Sequence, residues 1–277
     1  MKSLFVATLA SLSLAAAGQS YVIMDNGIVV TTDTAGFTYD FGHYAYPQKI
    51  TLKGGQYFVE DGAVLGTVDE KGLLFRKYEQ IPEKILGKGI NYFLSAEGVA
   101  YVVDRAGSVK LVEAEPFRRA VNFGGTFFTV ARDPERTALD LYVVTGDGAI
   151  RRAELEFKER EIVAFGGTYF MTNRGILYTV ARDGALSAKT EPRIGVLQRR
   201  GGNYFIDSAG LLFTVAESGA VVVPALPVPL RLASVHRFGS NYFIDQAGRL
   251  FVVDKDGNVF EKPMRDHDFR QAKVISL

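Results

Sequence analysis

The sequence predicts an all-β ring of seven four-stranded antiparallel blades, and three observations carry that expectation. An aromatic residue heading an apolar run recurs at Tyr21, Tyr57, Tyr92, Phe127, Tyr169, Tyr204 and Tyr242, every 35–42 residues, and a self-similar period of this length marks a repeat architecture. Glycines punctuate each copy at fixed offsets. The two ends of the chain are complementary: Lys273 to Leu277 reads as a first strand with nothing after it, whereas Gly18-Gln19-Ser20-Tyr21 matches Gly239-Ser240-Asn241-Tyr242 and lacks a first strand before it.

Taken in order, the chain opens with Lys2, an apolar run from Leu4 to Leu14 and the small residues Ala15, Ala16 and Ala17. That is the pattern of a cleavable signal peptide over residues 1–17, and the run is far short of the roughly 20 residues a membrane-spanning helix needs. A single domain is expected over residues 18–277. There are no cysteines, which leaves no disulfide framework, no thiol nucleophile and no lipid-anchored N-terminus. The expected location is the bacterial periplasm or the medium. With 32 Lys and Arg against 31 Asp and Glu, the chain lacks the basic excess of a nucleic-acid binder, and a monomer is expected.

Each copy divides into four short strands. A first run such as Glu161 to Phe165 or Ser234 to Phe238 meets a glycine turn, Gly-Gly in four copies. The second strand is of the Tyr-Phe-Ile-Asp type. Glycines nine residues apart then follow, at Gly27 and Gly36, Gly98 and Gly107, Gly175 and Gly184, Gly210 and Gly219, and Gly248 and Gly257, with Gly62 and Gly72 ten apart. Such glycines suit the positive φ of hairpin loops that end in a bulge, so each marks a corner between antiparallel strands. The apolar strands between them imply sheets packed on both faces. The repeated aromatics are assigned to packing between blades.

Radially repeated units of this kind resemble the seven-bladed β-propellers, over Gly18 to Leu277. In that fold the last strand of the chain completes the blade that Tyr21 to Asp40 begins. A β-solenoid would need capping ends where this chain has complementary ones. No named propeller family is matched. The period is too short for kelch repeats, and the absence of tryptophan removes the signatures of WD40, sialidase and quinoprotein blades.

In propellers the links from fourth to first strand and from second to third strand share one rim, and here those are the variable segments. They include Phe41 to Pro47, Val223 to Leu232, Lys262 to Gln271 and an insertion at Ala131 to Asp140. Loops that vary on a rigid frame are where function usually resides. The opposite rim carries short, uniform turns expected to be scaffolding. Aligning first strands by their glycine turns puts Lys49, Lys84, Arg119, Glu161, Val196, Ser234 and Lys273 at one level near the channel entrance. Arg118, Arg132 and Arg136 would extend a positive surface attractive to an anionic ligand, and His267 lies on a link of the same rim. Glu161, Asp133 and Glu135 would offset it. His43 is expected to line that rim, and His236 to line the channel or pack.

No nucleophile elbow, P-loop, dinucleotide fingerprint or zinc-protease helix occurs, and the calcium-like Asp254 to Asn258 has its glycine at the wrong position. No catalytic residue, metal site or cofactor is therefore assigned. The expected function is an exported, non-enzymatic binding platform for a protein or cell-envelope glycan partner on the variable rim. The alternative is a hydrolase or lyase at the central channel.

Overall fold

The computed structural model describes residues 20–133, 135, 138–158, 160–190, 196–226, 235–262 and 268–275. Seven four-stranded antiparallel sheets form the ring of a seven-bladed β-propeller. Blade 2 shows the unit: Ile50–Lys53, Tyr57–Glu60, Val64–Val68 and Leu74–Tyr78, in that order from the channel outward. Blade 1 is composite. Its first strand is Ala272–Ile275 from the C-terminal end, paired with Ser20–Met24, and then come Ile28–Thr32 and Thr38–His43. The expected closure of the ring by the end of the chain is what the structure contains.

The alternation of a strand explains the Tyr-Phe pair at the head of each second strand. Tyrosine points toward the following blade and phenylalanine toward the preceding one. Tyr21 meets Phe58 at 5.2 Å between ring centroids, Tyr57 meets Phe93 at 5.3 Å, Tyr92 meets Phe128 at 5.4 Å and Tyr169 meets Phe205 at 5.0 Å. Blade 1 has Val22 in place of the phenylalanine, and Tyr242 packs against it. The core is thus a set of clusters between blades, which is why adjacent blades bury nearly continuous apolar strands.

The tyrosine hydroxyls tie the blades together. Each donates to the main-chain carbonyl at the equivalent position of the next blade: Tyr21 to Tyr57 at 2.6 Å, Tyr57 to Tyr92 at 2.8 Å, Tyr92 to Phe127 at 2.6 Å, Tyr169 to Tyr204 at 2.9 Å and Tyr204 to Tyr242 at 2.6 Å. The bond from Tyr242 to Tyr21, 3.0 Å, crosses the junction between the two ends of the chain. Phe127 is the one member without a hydroxyl. In blades 2 to 7 the ring lies over the glycine three residues earlier: a Cβ on Gly54 would fall 2.2 Å from Tyr57 and one on Gly201 2.2 Å from Tyr204. That contact requires the first glycine of the turn. The paired corner glycines have positive φ as expected, between 70° and 89°.

Every first strand carries a register shift against its second strand at the same place, as at Ile50 and Leu52 or Val235 and Arg237. A bulge at this position sharpens the twist where strands crowd around the axis. It also fixes the register of the closing strand. Asp61 donates its N–H to the carbonyl of Lys49, and the equivalent Asp25 donates to Gln271. Gln271, not Lys273, therefore stands at the level of Lys49. Lys273 is the exposed bulge residue, equivalent to Thr51. Counting back from the end of the chain placed it two residues out because no glycine turn follows the closing strand to anchor the count.

Candidate functional site

The first strands wall a central channel. Their last residues, Lys53, Lys88, Phe123, Phe165 and Arg200, line a hollow of about 230 Å³ whose floor is the ring of glycine turns and Ile90. A second hollow of about 410 Å³ along blade 2 shares Lys53 and Lys88 and runs up the wall past Ile50 and Thr51 to Pro47. The variable rim thus opens into a basic channel.

The floor is knit by main-chain bonds running from blade to blade: Gln56 N–H to Ile90 at 2.8 Å, Ile90 to Gly125 at 2.6 Å, Gly125 to Gly166 at 3.1 Å, Gly167 to Gly202 at 2.8 Å and Gly202 to Ser240 at 2.7 Å. Main chain approaches main chain here. A Cβ on Gly125 would lie 2.3 Å from the Cα of Gly167.

On the far side of that floor, under the short turns, lies a small cavity of about 40 Å³, room for about three waters. The residues preceding five of the seven core aromatics contribute to it: Gln56, Asn91, Thr126, Thr168 and Asn203. Arg105, Arg182 and Glu217 enter from the turns between third and fourth strands. Arg182 reaches across the axis to Glu70, 3.4 Å away. Burial, with Arg105 nearby, brings the Arg182 guanidinium down to about 10, and burial pushes the Glu217 carboxyl up to about 8 against the pull of Arg182. The short-turn rim was expected to be scaffold alone, yet it holds the most buried charged groups of the axis. A legible signal existed: Ser20, Gln56, Asn91, Thr126, Thr168, Asn203 and Asn241, the seven residues before the core aromatics, are all polar, and in five of the seven copies the residue before them is glycine or isoleucine.

The basic residues expected to gather on the variable rim are dispersed, and most are engaged by neighbours. Lys49 pairs with Asp61 at 2.8 Å, and Arg119 donates to the Arg132 carbonyl at 2.8 Å and lies 3.9 Å from Glu115. Arg118 donates to the Glu97 carbonyl at 2.8 Å. Arg132 pairs with Asp140 at 2.6 Å and with Glu156, and Arg152 also reaches Asp140, at 2.9 Å. Lys84 is exposed at the foot of the blade 3 first strand. Arg136 and His267, with Ser234, lie outside the described residues. Of the two places expected for His236, packing is the one it does not take: it is exposed at the bulge of a strand that walls the channel. His43 lies on the rim, its Nδ1 2.6 Å from the Asn26 carbonyl oxygen. Among the described residues no group of three His, Cys, Asp or Glu side chains is placed to hold a metal ion.

At the junction of blades 1 and 2 the same rim bears aromatic residues. Tyr44, Tyr46, His43, Asp25, Gln48 and Arg76 line a hollow of about 320 Å³. Arg76 lies over the Tyr44 ring at 5.5 Å and is held from below by Glu60. Two residues on, on the same face of the strand, Tyr78 is 85% exposed.

No family model matches the chain, and no curated protein matches it in sequence. Among solved structures it is similar to a streptogramin B lyase, at 14% identity and a TM-score of 0.36 over 91% of this chain and 96% of that one. It is also similar to BamB from Moraxella catarrhalis, at 12% identity and 0.27 over 88% and 81%, and to a protein from Lactobacillus plantarum, at 14% and 0.33 over 88% and 99%. Among the described residues no helix is long and apolar enough to cross a membrane.

Proposed function

We propose that the chain is an exported binding platform, cleaved after residue 17, that takes a protein or cell-envelope glycan partner on its variable rim as a monomer. The observation that carries this reading is the exposed cluster of Tyr44, Tyr46 and Tyr78 around Arg76. Tyrosine and arginine supply large contact area with few rotatable bonds and a polar tip, the composition of interface hot spots. The frame beneath is rigid, so little ordering cost accompanies binding. A hydrolase or lyase in the channel has less support, because the strands that wall it bring cations and no carboxylate.

Photo-cross-linking tests the reading. A cross-linker placed at Tyr46 or Tyr78 should capture a partner from whole cells, or sediment the protein with purified peptidoglycan after irradiation. The same group at Phe75, exposed on the same strand but at its other end, should not. Equal capture from Phe75, or none from the rim positions, would overturn it.

A further inference from the structure

The channel itself has a chemistry the rim does not. Its seven walling strands include Lys53, Lys88, Arg199, Arg200, Arg237 and Lys273 and not one aspartate or glutamate. Lys53, Lys88 and Arg200 line the closed end, and Arg237 stands close enough to Lys53 to act on its charge. Lys88 sends its amine back to the Lys53 carbonyl at 2.6 Å, and Arg200 reaches the Phe165 carbonyl at 3.3 Å. Burial lowers the Lys53 amine, with Arg237 adding to the effect, and burial lowers the Lys88 amine, with Lys53 adding to it. The Arg237 Nε is buried with no hydrogen-bond partner among the described residues. Like charges held together behind low-dielectric walls focus a positive potential down a channel that opens toward the variable rim.

We infer that the closed end of the channel binds a compact oxyanion carrying two or more negative charges, of the phosphate monoester class, between Lys53, Lys88, Arg200 and Arg237. Lysines bring point charges and arginines planar forks that span two oxygens, which together suit a phosphoryl group. The hollow of about 230 Å³ has room for that group and a small alcohol attached to it. A single carboxylate would answer only part of the gathered charge. The glycine floor lets the ligand approach main chain without obstruction by side chains. The site stands whether or not a macromolecule docks on the rim.

Calorimetric titration with inorganic phosphate at neutral pH and low ionic strength tests it. Saturable binding is expected, weakened about tenfold, or about 1.4 kcal/mol, by Lys53→Met or by Lys88→Met and unchanged by Lys49→Met. Thermal unfolding gives a second readout. At constant ionic strength phosphate should raise Tm more than chloride does, and Lys88→Met should shrink that difference while raising Tm in phosphate-free buffer by relieving repulsion. Absence of saturable binding, or equal affinity in the double Lys53→Met, Lys88→Met variant, would overturn the site. Saturation by succinate with no response to phosphate would overturn the assigned ligand class.

Discussion

The two mouths of the ring are built from the same repeat and have opposite characters. On the short-turn side blades 2 to 7 bring closely similar glycine turns to the axis, where main chain meets main chain, and a second circle of main-chain bonds runs through Glu70, Arg105, Gly146, Arg182, Glu217 and Lys255. On the variable side the links differ in length, the cations take separate local partners, and tyrosines stand in solvent. The lesson is that uniformity follows from proximity to the axis: positions that must touch their own counterparts in neighbouring blades have little freedom to diverge.

That contrast can be broken in graded ways. Ending the chain before Ala272 removes the inner strand of blade 1 and should cost the most, about 4 kcal/mol, lowering Tm by about 10 °C. A Tm within a degree of the parent would mean that the ring does not depend on its closing strand. Next in size, Gly167→Ala forces a methyl to within 2.5 Å of Gly202 main chain and should cost about 3 kcal/mol in chemical denaturation. Gly175→Ala, on the rim at φ 74° with open space around it, should cost about 1 kcal/mol from backbone strain alone. If the two substitutions were equal, the axis would not be the tighter region.

Smaller effects sharpen the comparison. Tyr92→Phe should lose about 1 kcal/mol with its bond to Phe127, and Phe127→Tyr should gain a similar amount by supplying the missing hydroxyl of the circle; paired urea melts decide both. Glu217 sets a pH dependence. Its carboxyl titrates near 8 in the fold and near the ordinary 4.5 when unfolded, so the native state holds the extra proton between those values. Stability from this group is therefore fully present below about 4.5, falls as pH rises and levels off above about 8. Glu217→Gln should flatten that slope in melts across the range. On the rim, Arg132→Ala should leave Tm unchanged, because its exposed ion pairs are screened by solvent.

How far the molecule could be read in advance follows the same division. The Tyr-Phe pairs, the corner glycines and the complementary ends each obey a local rule, so blade number, strand order and closure were legible. The rim cations were legible as residues but not as a surface: nothing local says that Asp61 lies across from Lys49 or that Asp140 takes both Arg132 and Arg152. Lys53, Lys88, Arg200 and Arg237 read individually as ordinary strand-end charges, separated by up to five blades.

The sequence by itself determined the repeat, the blade and the ring, because strand alternation and glycine turns are properties of a few adjacent residues. Only the tertiary structure decided where charge accumulates. Residues 35 or more positions apart become neighbours at the axis when the ring closes, and the potential in the channel and the burial of Arg182 and Glu217 are sums over blades that no single repeat contains.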